Sequence, residues 1–216
     1  MLLDYNPPCT PLDILHQDKD IVVLNKPSGL LSVPGRAENM KDSLSLRVQA
    51  RFPSATVVHR LDRDTSGVMV MALNKQAHRH ISKQFEMRAT EKSYIAVLYG
   101  EVEGEEGEVN LPLILDWPNR PHHIVDHENG KNALTRWKIL GRENDRTRIA
   151  FSPVTGRTHQ LRVHALAMGH PILGDSLYAH DRALVLADRL MLHANLLTLT
   201  HPYLKEIMSF KSDPDF

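Results

Sequence analysis

Thr56-Val-Val-His-Arg-Leu-Asp-Arg-Asp-Thr-Ser-Gly-Val-Met-Val-Met-Ala-Leu73 joins two apolar runs through a polar loop. Thr56–Val58 reads as a short strand and Val68–Leu73 as a second, fully buried one, because each is a brief β-branched or apolar run bounded by turn residues. Between them, His59 to Gly67 is polar or glycine at eight of nine positions. A loop emerging from two buried strands is well placed to hold a carboxylate at the mouth of a core. On these nine residues alone, a plain turn in which Asp62 and Asp64 pair with Arg60 and Arg63 is an equally good reading.

Working outward, Ile21-Val-Val-Leu24 reads as another buried strand, ended by Lys26-Pro-Ser-Gly29. Asp42 to Phe52 has the pattern of a helix capped by Asp42 or Ser43, with Pro53 just beyond it. Asn74 caps a second helix, whose Ala77, Ile81, Phe85 and Arg88 form a narrow stripe on a basic body. Tyr94 to Tyr99 reads as a strand buried on both faces, and further strands are expected near 132–140, 146–153, 193–200 and 206–210. Thr158 to Met168 is helical in pattern, with Leu161, Ala165 and Met168 facing the core and Gly169 as its stop. Strands are many and helices few and unevenly placed. A regular alternating βα winding is therefore excluded, and the expectation is an α+β domain over residues 1–216 on a mixed, mostly antiparallel sheet.

Composition narrows the class. A chain of 216 residues with 42% hydrophobic and 24% charged side chains has enough apolar material for a core and is not a disordered sequence. The single cysteine, Cys9, excludes an internal disulfide framework and fits a reducing compartment. Met1-Leu-Leu-Asp4 has no basic region leading into an apolar run, so no signal peptide is expected. The longest apolar run, Val68–Leu73, is far too short for a membrane helix. A cytoplasmic protein with no membrane partner is the default.

The 26 basic and 26 acidic residues balance, which argues mildly against a nucleic-acid partner. That average hides a local asymmetry. Glu101 to Glu108 holds five of the glutamates and no basic residue, whereas Lys75 to Lys92 carries five Lys or Arg against two Glu. A solvated helix face explains the latter; so does a basic working face with an acidic loop elsewhere.

Gly156-Arg-Thr-His-Gln-Leu-Arg-Val-His164 is the second candidate cluster. Arg157 stands at a helix start, where a cation opposes the helix dipole, so ordinary helix design does not explain it. His159 and Arg162 are three apart, on one helical face. The stretch reads either as a surface helix with satisfied histidines or as guanidinium groups aimed at a carboxylate or phosphate. Lys92-Ser-Tyr-Ile-Ala-Val97 alone is an ordinary strand. Asp62-Arg-Asp-Thr65 matches the pattern of metal-dependent aspartyl phosphatases, but His59 and Arg60 interrupt the preceding strand and no later acidic pair follows Gly174-Asp175. Although there are 13 histidines, His78 and His80 fall on different faces of an expected helix and no Cys-x-x-Cys accompanies any of them, so no metal site is expected.

Taken together, His59-Arg-Leu-Asp-x-x-Thr-Ser-Gly67, Lys92-x-Tyr94-x-Ala96 and Gly156-Arg-Thr-His-Gln-Leu-Arg-Val-His164 with Gly169-His-Pro-Ile-Leu-Gly-Asp175 resemble the RluA family of pseudouridine synthases in order and spacing. Asn25-Lys-Pro-Ser-Gly-Leu30 and Leu115-Asp-Trp-Pro-Asn-Arg-Pro121 extend the similarity over nearly the whole chain, the latter toward the family's short members. The resemblance implies a single catalytic domain with a mixed sheet and a central active-site cleft, here without an N-terminal S4 RNA-binding domain. It implies isomerisation of uridine already in RNA, without cofactor or metal, in 23S rRNA and tRNA stem-loops, by a monomer. Carried over, Asp62 is the essential aspartate, Arg162 its ion-pair partner and Tyr94 the ring against the target base. Arg60 fills the space left by the flipped nucleotide, and His59, Arg157 and His159 join it as RNA-binding candidates. An RNA-binding module that folds or assembles RNA without catalysis is the alternative; it would need the arginines but not the aspartate.

Overall fold

The computed structural model describes residues 5–216. The expectation about a leader at Met1-Leu-Leu-Asp4 lies outside the described residues. In chain order the elements are β1 (Asp13–Gln17), β2 (Ile21–Lys26), α1 (Leu44–Arg51), β3 (Thr56–Val57), β4 (Ser66–Ala72), α2 (Lys75–Glu86), β5 (Glu91–Tyr99), β6 (Glu106–Asn110), β7 (Leu113–Leu115), β8 (His123–Val125), β9 (Leu134–Glu143), β10 (Arg146–Pro153), α3 (Gln160–Ala167), α4 (Asp181–Val185), β11 (Leu192–Thr200) and β12 (Ile207–Lys211). Two compact units partition them: residues 1–92 with 193–215, and residues 93–192 with Phe216. The many strands and few helices are those of an α+β fold.

In the first unit β2 is the central return strand, antiparallel to β1 on one side and to β4 on the other. The short β3 also lies antiparallel on β4, β12 lies antiparallel on β11, and β4 and β11 run parallel. Ile21, Val23, Val68, Val70, Ile81, Leu197, Leu199 and Phe210 form its core. Every residue of β4 is buried, as a continuous apolar run requires when both faces are covered. Gly67 is fixed by geometry: its φ is +114°, and a Cβ there would lie 2.3 Å from the carbonyl oxygen of Ala194. Only glycine lets β11 approach the loop's exit this closely.

The helix signals in this unit are realised. Ser43 caps α1 through its hydroxyl and the Leu46 N–H, and the Asn74 side chain accepts from the Ala77 N–H at 2.9 Å to start α2. The α2 stripe ends one turn earlier than the apolar spacing suggests. Arg88 is beyond the helix at φ 56°, and Gln84 takes the inward place, pairing both amide atoms with the backbone of Thr200.

The second unit has the antiparallel order β5-β10-β9-β6 and a separate β7–β8 hairpin. Its core includes Ala96, Leu98, Ile149, Phe151, Leu161, Ala165 and Ile172, with Tyr94 packed at its border. Two expectations are corrected here. Glu101 to Glu108 is not wholly a loop: Glu106–Asn110 is the edge strand β6, with Glu106 and Glu108 opposite Lys138 and Arg136 of β9. Cross-strand opposite charges stabilise such an edge, and only Val109 turns inward. The helix expected from Thr158 begins at Gln160, because His159 holds a left-handed backbone at φ 55°. Arg157 is therefore ahead of the helix and does not oppose its dipole. The β1 strand, the β7–β8 hairpin and α4 have no counterpart in the expected elements; each is short and mostly exposed or half-buried.

Among the described residues, no helix is long and apolar enough to cross a membrane.

Candidate active site

Each unit carries one of the candidate clusters. In the first, the loop from His59 to Gly67 is held at successive points by buried or half-buried side chains. Lys26 is 0% exposed, and its ammonium donates to the carbonyl oxygens of Pro27, Leu30 and Arg63 at 2.9, 2.6 and 2.9 Å. Three carbonyl dipoles converge on one cation, which makes its burial tolerable. The Ser32 hydroxyl donates to the Leu61 carbonyl at 2.6 Å and accepts from the Leu61 N–H at 3.1 Å. Ser28 donates to the Asp64 carbonyl at 2.7 Å. Asp62 is half-buried in the middle of this clamped backbone, and Arg60, two residues earlier, is exposed.

The loop's ends are equally fixed. His59 stacks on Phe85 with ring centroids 4.5 Å apart, and its Nε2 accepts the Val70 N–H at 3.1 Å. An accepting Nε2 requires the neutral ring to carry its proton on Nδ1. Burial of the ring, with the Lys92 cation adding to it, pushes the His59 pKa down to about 3. At the other end Ser66 and Nδ1 of His193 are 2.9 Å apart, with His193 Nε2 on the Ser212 carbonyl at 3.0 Å. Arg63 and Asp64 pair side by side at 2.7 and 3.0 Å. The plain-turn reading thus describes the Arg63-Asp64 pair well.

In the second unit Arg162 is 2% exposed and forms a two-pronged ion pair with Asp175, Nε to Oδ2 at 2.8 Å and Nη2 to Oδ1 at 2.5 Å. Asp175 Oδ1 also accepts the N–H groups of Leu177 and Tyr178 at 3.0 and 3.2 Å. Gly174 before it has φ +69°, and a Cβ there would meet the Arg189 carbonyl oxygen at 2.0 Å, so the turn into Asp175 is restricted to glycine. The Arg162 guanidinium lies 5.1 Å from the centroid of the Tyr178 ring. Tyr178 Oη accepts the His123 N–H at 2.8 Å and is 2.7 Å from His159 Nδ1. His159 and Arg162 are thus brought to one tyrosine, although His159 is outside the helix that carries Arg162.

Arg157 is half-buried, with its Nε donating to the Asn132 carbonyl at 3.1 Å. Beneath this cluster the Gln160 Oε1 accepts from the Arg157 N–H and the Thr155 hydroxyl, while its Nε2 donates to the Leu134 carbonyl and Thr135 Oγ1. His164 completes the network: Nε2 donates to the Leu111 carbonyl and Nδ1 faces the Thr135 hydroxyl. Burial holds its pKa below the ordinary histidine value, so the network is neutral and internally paired. Tyr94, on β5, pairs in register with Phe151 of β10 and is half-buried.

Sequence reasoning left Lys26, Ser28, Ser32, Asp175 and Tyr178 without roles. All five lie in stretches that carry the resemblance or directly beside them. A lysine just after an apolar run and an aspartate after a glycine were the available signals.

Asp18, Asp20 and His201 are the one group among the described residues that brings three metal-ligand atoms within 4.8 Å of one another. The His201 Nδ1 accepts the N–H groups of Tyr203 and Leu204, so its Nε2 carries the proton and donates to Asp18 Oδ2 at 3.1 Å. A protonated nitrogen has no lone pair for a cation. Asp18 also accepts from the Asp20 and Ile21 N–H groups and pairs with His16, and its pKa is lowered through the His16 hydrogen bond and these backbone donors, against the opposing effect of burial. This is a hydrogen-bonded corner before β2. Asp20 Oδ2 is buried there without a partner.

Residues 20–167 match the family model described as RNA pseudouridylate synthase. The chain belongs to that family, and is an RNA-modifying isomerase. It is similar to the dual-specificity RNA pseudouridine synthase RluA of Yersinia pestis, 55% identical over 94% of this chain and 99% of the relative. The protein of the same name from Escherichia coli K12 is 53% identical over 99% of this chain and 98% of its own. Among solved structures, human RNA pseudouridylate synthase domain containing 1 is 29% identical with a TM-score of 0.82, covering 98% of this chain and 87% of that one. Human domain containing 4 is 27% identical with a TM-score of 0.74, covering 94% and 89%.

Proposed function

We propose that the protein converts uridine to pseudouridine in two substrates, a stem-loop of 23S rRNA and the anticodon stem-loop of tRNA, as a cytoplasmic monomer without cofactor or metal. The dual substrate is supported by the two RluA relatives, which match from end to end at more than half identity. In the reaction the N1–C1′ bond breaks, a C5–C1′ bond forms, the C5 proton is lost to solvent and N1 takes up a proton in its place. No electrons are gained or lost overall, so no redox group is called for.

The observation that carries the assignment of Asp62 is its setting. Its two neighbours Leu61 and Arg63, and Asp64 beyond, have their carbonyls clamped by Ser32, Lys26 and Ser28, while Asp62 itself is half-buried. A backbone held on both sides of one partly exposed aspartate is preorganised for chemistry, because positional freedom is removed before the substrate arrives. An ionised carboxylate serves either as a nucleophile at C1′ or as a base at C2′. Arg162 is assigned as its ion-pair partner, Tyr94 as the ring against the detached uracil, and Arg60 as the side chain that fills the vacated stack. Extruding a stacked base costs a few kcal/mol, and a cation filling the gap offsets part of it. His59, from its packing, supports the loop; Arg157 and His159 are assigned to the RNA backbone.

The test is pseudouridine mapping on hairpins transcribed with either loop. Both hairpins are expected to react nearly as well as intact RNA. Inert hairpins beside reactive 23S rRNA would contradict recognition of compact loops and with it the dual substrate.

A further inference from the structure

The β7–β8 hairpin is joined by a turn that is fully exposed from Trp117 to Pro121. Such a turn is usually loose, and this one is not. Asp116 N–H bonds the His122 carbonyl at 2.9 Å, and Asn119 N–H the Asp116 carbonyl at 3.1 Å. The Asn119 amide bonds the Asp116 carboxylate at 2.9 Å. On this framework stands Trp117, 66% exposed, with the Arg120 guanidinium 4.2 Å from its ring centroid. A large indole in water is unfavourable, and nothing in the unit's own core requires it there.

The turn is also tied to the Arg162 cluster. His122 Nε2 lies 3.0 Å from the Leu177 carbonyl, and the next residue's N–H donates to Tyr178 Oη, the tyrosine under Arg162. A rigid aromatic–arginine pair is thus fixed to the same residues that hold a candidate catalytic side chain.

We propose that Trp117 and Arg120 form a stacking platform for an unpaired base of the RNA substrate, set apart from the base that is modified. The proposal rests on RNA being the substrate and deepens that reading. Arg120 covers one face of the indole and fixes its plane. Its positive charge suits the phosphates flanking an unstacked base, and the ring offers a π-face that any of the four bases can use. The platform contributes affinity and loop preference and takes no part in the bond exchange.

The test uses the full chain and C5-tritiated tRNA transcripts. Trp117→Ala should raise KM about tenfold, within the usual range for loss of one base–aromatic stack, with kcat within about twofold; Trp117→Phe should restore most of the affinity. In the inactive Asp62→Asn protein, indole emission should be quenched on adding RNA, and the quench should largely vanish when Trp117→Phe is added, which leaves Trp137 as the only other tryptophan. An unchanged KM in Trp117→Ala while the wild type reacts, or a loss confined to kcat, overturns the platform and leaves the RNA assignment standing. Absence of quenching overturns it even if Trp117→Ala fails to fold. A wild type that modifies no uridine in any transcript removes both.

Discussion

His59→Gln turns the neutral state of one ring into a measurable pH dependence. The native ring titrates at about 3, against an ordinary value near 6.5, because burial disfavours its cation and Lys92 adds to the penalty. In between, the unfolded chain binds a proton that the native state refuses. Stability conferred by the neutral ring is therefore fully present above about pH 6.5 and is lost as pH falls, levelling off only near the native value. Each pH unit inside the window costs about 1.4 kcal/mol. From about pH 7.5 to about pH 4.5 the loss integrates to roughly 2.7 kcal/mol. Glutamine can accept the Val70 N–H through its amide oxygen and does not titrate, and the other acid-sensitive groups, such as His164 and Asp18, are common to both proteins. The assay is urea unfolding of wild type and variant across this range. The stability of wild type relative to the variant should fall by about 2.7 kcal/mol. A difference constant with pH would refute a neutral, enclosed His59.

Lys26→Met removes the cation on which three carbonyls converge, one of them from Arg63 in the loop. Unsatisfied buried acceptors cost about 1–3 kcal/mol each, so a loss of about 3–5 kcal/mol in urea unfolding is expected, and a loss below about 1 kcal/mol would show that the carbonyls find other donors. Asp175→Asn leaves the Arg162 charge without its two-pronged partner; breaking a buried pair costs about 3–5 kcal/mol, read by the same assay, and near-wild-type stability would contradict the pair's role. Arg162→Lys keeps the charge but cannot reproduce the paired Nε and Nη2 contacts. Turnover should fall at least about tenfold, and unchanged kinetics would mean that only a positive charge matters there.

The buried strands and capped helices were legible because each rests on a local signal: the apolar run at 68–73, Ser43 and Asn74 as caps, Pro53 and Gly169 as stops. The β6 strand was hidden because its glutamates are matched by Lys138 and Arg136, which lie some 30 residues away in the chain and come opposite only in the sheet. The start of α3 was misplaced because a left-handed His159 is set by its contact with Tyr178 and by the Gln160 network, neither visible locally. At the site, the motif pointed to Asp62, Tyr94 and Arg162 as candidates. The clamps on the loop were not legible, since the value of Lys26, Ser28 and Ser32 lies in which distant carbonyls they reach. Asp175 was visible as a residue but not as a partner, because pairing 13 residues apart requires the turn at Gly174.

The most direct test of the central claim is Asp62→Asn, measured by tritium release from RNA labelled at uracil C5 together with RNA binding. The amide preserves the shape of the side chain and removes the charge that either chemical route needs. Isomerisation should be abolished while RNA binding remains within a few-fold of wild type. Turnover within about tenfold of wild type would show that Asp62 does not carry the reaction.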